Sequence, residues 1–224
     1  MHISEGILPL TVAGVSTAAA LPFVAKGVAD IRKRVATEPA TKPLVGLVAA
    51  AVFVVSALPI PVPLAGTTAH PTGIAIAAVI LGPWAAATIT GVVLGLQALF
   101  MAHGGLSSWG ANTFNMGVLG AFSAYAAYRL VRASGLPLWL GLGLAGALGD
   151  LVTYLGTAVT MAVALAGEQS LVAVAGLIFV AFLPTQVPLA ALEALFTVGL
   201  FNFIRERRPD LAAKMGLPPA GAVA

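Results

Sequence analysis

No cysteine occurs anywhere in the 224 residues, which excludes disulfides, thiolate metal sites and cysteine nucleophiles. Charge is almost as scarce. Asp, Glu, Lys and Arg together make up 8% of the chain, where soluble domains carry roughly 25%. With 59% of residues hydrophobic, this composition excludes an ordinary water-soluble core. The chain also lacks a G-x-x-x-x-G-K-[ST] loop, an HExxH pair and a GxSxG elbow. It therefore has no phosphate loop with which to hydrolyse ATP and no convincing hydrolase constellation, and it reads as a non-enzyme. Residues 1–10 contain no Lys or Arg, so the basic start of a cleavable signal is missing. The first apolar run is expected to be retained, and Met1, followed by the bulky His2, to stay in place. The net charge of +3 is small and points to no nucleic-acid partner.

What the chain does contain is apolar runs, near residues 7–25, 44–58, 71–82, 84–102, 109–131, 137–166 and 170–204. Loops next to membrane spans carry their Lys and Arg on the cytoplasmic side. Seven spans with the N-terminus outside place all eleven Lys and Arg on the inner face. Lys26, Arg32, Lys33, Arg34 and Lys42 fall in the first inner loop, Arg129 and Arg132 in the third, and Arg205, Arg207, Arg208 and Lys214 in the tail. Merging 71–102 reverses the parity, and splitting the last run moves four cations outside. The expected fold is therefore an all-α, multi-pass protein of the cell (inner) membrane with about seven transmembrane helices. Its N-terminus lies outside and its C-terminus in the cytoplasm. Residues 1–208 form a single transmembrane domain, and the Pro- and Ala-rich residues 209–224 are expected to be a disordered cytoplasmic tail.

This topology makes the third span too short. Residues 72–81 give about 15 Å of helix at 1.5 Å per residue, against a hydrocarbon core of about 30 Å. The preceding stretch 59–71, with prolines at 59, 61 and 63, must dip to membrane depth, where non-helical backbone survives only inside protein or around a cavity. His70 is thus expected below the outer surface, within the helix bundle.

The three histidines, His2, His70 and His103, all fall on the outer half. At a free Met1-His2 terminus, the Met1 amine, the His2 amide nitrogen and the His2 Nδ1 can wrap one ion in adjoining chelate rings, and His70 can close a plane of four nitrogens. Square-planar nitrogen suits Ni(II), Cu(II) or low-spin Co(II) and not Zn(II), Mg(II) or Ca(II). Amine and amide must lose protons to bind, so acid should weaken capture. Residues 102–112, rich in Gly, Ser and amide, read as a loop over such a site. Glu5 reads either as a hydrogen-bond partner of a ligand nitrogen or as a wet residue at a helix start. Asp150 and Glu193, at membrane depth on different helices, each need a partner or a job. A hydrogen bond to Tyr154, Thr185 or Gln186 is the simpler reading and ion passage the other. Gly141, Ala145 and Gly149 form a small-residue stripe suited to close helix packing, within the chain or against a second membrane protein.

The opening Met-His-Ile-Ser-Glu-Gly-Ile-Leu-Pro closely resembles the start of the substrate-capture (S) subunits of energy-coupling-factor cobalt and nickel transporters, the CbiM/NikM family. Thr67-Thr68-Ala69-His70-Pro71-Thr72-Gly73 resembles that family's first outer-loop motif. Gln97-Ala98-Leu99, His103-Gly104-Gly105-Leu106 and Gly110-Ala111-Asn112-Thr113-Phe114-Asn115-Met116 resemble its second. Gly149-Asp150-Leu151-Val152-Thr153-Tyr154 and Thr185-Gln186-Val187-Pro188 match two later ones. The resemblance runs in order from residue 1 to about 204. It implies seven helices and a metal held by the Met1 amine, the His2 backbone and ring nitrogens and His70, with loops near His103 and Asn112 covering the site. Some family members carry Ser-Cys-Ser-His where this chain has Thr67-Thr68-Ala69-His70. His103 and the His-Pro-Thr-Gly stretch lean toward cobalt over nickel. The resemblance further implies a transported Co2+ or Ni2+ and a complex with a transmembrane coupling (T) subunit, ATP-binding subunits and a small auxiliary membrane subunit. Two other readings stand beside it: a self-sufficient metal channel or secondary carrier, and a membrane scaffold without a ligand.

Overall fold

A computed structural model describes residues 2–60 and 67–219. The elements run β1 (His2–Ile3), α1 (Leu10–Thr37), α2 (Thr41–Ser56), β2 (Thr67–Thr68), α3 (Ile74–Leu81), α4 (Pro83–Met101) and α5 (Trp109–Asn112). A π-helical stretch (Thr113–Gly120) follows, then α6 (Ala121–Ala133), α7 (Leu138–Leu165), α8 (Leu171–Arg207) and α9 (Pro209–Lys214). Among the described residues four helices, α1, α4, α7 and α8, are long and apolar enough to cross a membrane. Their outward faces keep large apolar side chains in the open, such as Val172 at 78% exposure and Leu177 at 72%. A face of that kind belongs against lipid and not water. The fold is that of a mostly helical membrane protein.

The run expected to end near residue 25 continues as helix to Thr37, so Arg32, Lys33 and Arg34 lie on α1 and not in a loop. Residues 109–133 form one continuous helical path whose middle is π-wound, a distortion that often accompanies functional sites. Pro184 and Pro188 sit inside α8 without dividing it. The stripe on α7 packs within the chain: Gly141 faces Val131, and Gly149 faces Ala124 and Ile74.

The short third segment is the centre of the fold. Helix α3 has only eight residues, six of them buried, and it packs among α2, α4, α6 and α7. A helix leaves unpaired N–H groups at its start and unpaired carbonyls at its end. Side chains from other helices serve both ends. The Glu193 carboxylate accepts from the backbone N–H of Thr72 and, at 3.1 Å, of Gly73. The Thr72 hydroxyl lies 2.9 Å from each carboxylate oxygen. At the other end, Arg34 Nη1 donates to the Leu81 carbonyl at 2.8 Å. An anion at the N-terminus and a cation at the C-terminus also complement the helix dipole. These bonds, and not one to Tyr154, Thr185 or Gln186, give Glu193 its partners.

The expected disordered tail is corrected over its described part. Pro209 opens α9 at the N1 position, Ala212 and Leu217 are buried in the main apolar cluster, and Lys214 pairs with Glu38 at 3.0 Å. Arg205 donates to the carbonyls of Pro218 and Pro219 at 2.8 and 2.6 Å. Leu211, Met215 and Leu217 supply the apolar surface that a reading of Pro and Ala content overlooks. Residues 220–224 lie outside the described residues.

Candidate metal site

The site is built where the N-terminal segment enters the protein. Gly6, at φ +78°, and Pro9 turn the chain into α1. The residues before the turn run back inward as β1, antiparallel to β2 with His2 opposite Thr68 and Ile3 opposite Thr67. His2 and Ile3 are buried. Asn112 grips Ile3 on both sides, its Oδ1 accepting from the Ile3 N–H at 2.8 Å and its Nδ2 donating to the Ile3 carbonyl at 3.1 Å. The Ser108 hydroxyl donates to that same carbonyl at 2.5 Å. Asn112 therefore anchors the N-terminal strand. Met1 lies outside the described residues.

Neighbouring groups decide which ring nitrogen of His2 and of His70 carries the proton. Gln97 Nε2 donates to the Phe53 carbonyl at 3.1 Å and to Ser56 Oγ at 2.9 Å, which fixes the amide and turns its Oε1 to His2 Nε2 at 2.9 Å. Nε2 must therefore carry the proton. His2 Nδ1 is left buried without a hydrogen-bond partner among the described residues. His70 is set the opposite way: its Nδ1 lies 2.7 Å from the Pro71 carbonyl, which requires Nδ1–H and puts the lone pair on Nε2. The Tyr154 hydroxyl fixes the His70 backbone, accepting from its N–H at 2.9 Å and donating to its carbonyl at 3.0 Å.

His103 reaches the same place from the loop after α4. Ala102 has φ +48° and Gly104 φ +83°, both left-handed, a conformation that costs an Ala more than a Gly. The His103 ring is half-buried, and its Nε2 lies 3.3 Å from Thr68 Oγ1. Ring centroids are 4.5 Å apart for His2 and His70, 4.1 Å for His2 and His103 and 5.6 Å for His70 and His103. One ligand nitrogen from each histidine lies within 4.8 Å of the others. Burial pushes the His2 imidazole well below its usual value near 6.5, helped by the neighbouring His103, and burial lowers His103 as well. Neutral rings are the metal-binding form.

Known proteins resemble the chain over most of its length. Residues 2–211 match the CbiM family, described as the cobalt uptake substrate-specific transmembrane region. The chain belongs to the CbiM family. A cobalt transport protein CbiM of Sorangium cellulosum is 46% identical over 215 residues, covering 96% of each chain. One of Geobacter sulfurreducens is 46% identical over 221 residues, which is 99% of this chain and 64% of that longer protein. Crystal structures of two transition metal transporters, one of them truncated, superpose with TM-scores of 0.80 and 0.79. They share 27% and 28% identity, and each covers 92% of this chain.

Around this CbiM-family site the remaining expected residues take distinct places. Glu5 is exposed and precedes α1 by several residues. Its Oε2 accepts from the Ser107 N–H at 3.1 Å, and bonding to Ser107 holds its carboxyl below the usual range. It fastens the His103 loop to the N-terminal strand. Three residues of the site escaped the sequence reading as such. Gln97 and Ser108 appear there only within motifs and loop composition, and Tyr154 only as a partner for an acid. A buried glutamine in an apolar helix was the available signal, since a polar group at membrane depth needs a partner. Asp150 lies against Glu193, and neither of its oxygens meets a hydrogen-bond donor among the described residues.

Proposed function

We propose that this chain captures Co(II), and Ni(II) as the second ion its donors accept, at the outer face of the cell membrane. We propose further that it delivers the ion inward as the substrate-specific subunit of an ATP-driven energy-coupling-factor transporter. One observation carries the reading: the two buried histidines are held in complementary tautomers, His2 by Gln97 and His70 by Pro71, and one ring nitrogen of each lies within 4.8 Å of the other. The Met1 amine and the His2 amide nitrogen complete a square plane with those two nitrogens, the geometry of Ni(II) and low-spin Co(II). The cobalt named for the family and for its relatives supports the first choice of ion.

The reading includes seven spans with the N-terminus outside, which agrees with the placement of all eleven cations on one face. It also includes a T subunit, ATP-binding subunits and a small auxiliary membrane subunit, since the chain carries no phosphate loop of its own. In the test, the purified chain beginning at Met1 is titrated with Co(II), Ni(II) and Zn(II). One Co(II) per chain, weak Zn(II) and loss of binding when residues are added before Met1 are expected. Tight binding by an N-terminally extended chain overturns the chelate. Metal uptake by the chain alone in ATP-free vesicles overturns the partner assignment in favour of a channel or carrier.

A further inference from the structure

The capture reading leaves His103 as a cover, yet its ring lies nearer to His2 than the His70 ring does. We propose that His103 is a fifth, axial nitrogen ligand, and that this ligand tilts the site toward Co(II) over Ni(II). The inference rests on the capture reading and adds a donor to it.

The distances permit a third imidazole on the same ion. Metal–nitrogen bonds of about 2.0–2.1 Å put two donors of one ion at most about 4 Å apart. An axial donor, at right angles to the plane, stands about 3 Å from each planar nitrogen; the three ring nitrogens already lie within 4.8 Å of one another, so closure takes a loop shift of up to about 2 Å. The direction of approach follows by elimination. The tridentate terminus and His70 fill the plane, so a further nitrogen arrives from one face. The loop is pressed onto the chelating residue: a Cβ on Gly104 would stand 2.8 Å from His2 Cδ2, and one on Gly105 2.6 Å from the Glu5 backbone. Left-handed Ala102 stores local strain of the kind found at ligand clamps. The loop is fastened beyond His103 by Ser107 to Glu5 and by Ser108 to Ile3. Thr68 Oγ1 at His103 Nε2 supplies the outer hydrogen bond that metal-bound imidazoles usually make, with Nδ1 then the donor to the ion.

The two candidate ions respond differently. In a square plane, low-spin d7 Co(II) holds a single electron in the orbital along the axis and accepts a fifth donor there. Low-spin d8 Ni(II) has that orbital filled and is repelled by one. An axial imidazole therefore favours cobalt, and its removal narrows the gap between the ions.

The experiment uses the full chain beginning at Met1, loaded with Co(II) alone and examined by low-temperature electron paramagnetic resonance. One axial 14N, with nuclear spin one, should split each cobalt hyperfine line along the axis into three. His103→Ala should lose the triplet and weaken Co(II) binding by at least the about 10–100-fold typical of supporting residues at metal sites, with a smaller effect on Ni(II). Added imidazole should restore the triplet in His103→Ala, which shows that the variant is folded. Cobalt bound without nitrogen splitting in the unmodified chain, or a triplet that survives His103→Ala, overturns the axial ligand and leaves the planar site standing. Failure of the unmodified chain to bind Co(II), or normal binding by both His2→Ala and His70→Ala, overturns the planar site and the axial ligand together.

Discussion

Residues 70–73 carry opposite chemistry at their two ends. At the first end, His70 faces His2 and His103, an all-nitrogen cluster. Two and three residues later, Thr72 and Gly73 meet Glu193, with Asp150 beside it. The separation has a physical reason. Oxygen donors among the imidazoles would recruit Mg(II) or Ca(II), while imidazole alone selects the later transition metals. A carboxylate at membrane depth is tolerated where the start of a buried helix offers N–H groups, and α3 starts there. On the proposed reading the histidine cluster binds the ion, and the carboxylate pair holds the backbone that carries one of its ligands.

The sharpest break of this comparison comes from the histidine end. His2→Ala or His70→Ala should weaken Co(II) binding by more than about a thousandfold, or about 4 kcal/mol, with little change in the thermal midpoint of the metal-free protein. Titration calorimetry beside a thermal melt reads both quantities. The carboxylate end should behave in the reverse order. Glu193→Ala strips the buried N–H groups of Thr72 and Gly73 and should cost about 3 kcal/mol of stability, with metal affinity falling only through the displaced His70. If Glu193→Ala abolished binding without lowering the melting point, the two regions would not be separate in role.

Residues that join the regions should give intermediate effects. Tyr154→Phe releases both backbone groups of His70, and Gln97→Leu frees the His2 tautomer. Each should reduce Co(II) affinity by about 10–100-fold, checked in the same titration. Asp150→Asn replaces the acid beside Glu193 with a neutral amide that can donate to it. It should leave capture intact and change stability by no more than about 1 kcal/mol, toward a higher melting point.

The smallest effect is on pH dependence. The His2 and His103 values lie below the usual 6.5, so between those values and about 6.5 the unfolded chain binds more protons than the native one. Stability then rises with pH across that window. The metal-free protein should lose stability as the pH falls below about 6.5, and His2→Gln should flatten part of that slope in melts recorded from pH 5 to 8.

Much of the site could be read in advance because its donors are rare residue types. Three histidines in 224 residues, one next to the chain start and one after a run of prolines, narrow the donors before any fold is known. The short third segment followed from counting residues against membrane thickness. Other features were beyond that reading. Glu193 was assigned to partners on its own or a neighbouring helix, because sequence spacing carries no record of which helix end a side chain reaches. The tail was read as disorder because composition averages away the few apolar residues that decide packing.

By itself, the sequence determined that the chain is a helical membrane protein with its nitrogen donors grouped, since hydrophobic content, charge placement and residue type are local properties. Only the tertiary structure decided which nitrogen of the His2 and His70 rings carries the proton, because that rests on Gln97 and Pro71 and on the residues that orient Gln97 in turn. It also decided what the buried acids do. The unpaired N–H groups of α3 come into being only when a helix begins inside the protein, and a carboxylate from a helix more than a hundred residues away meets them there.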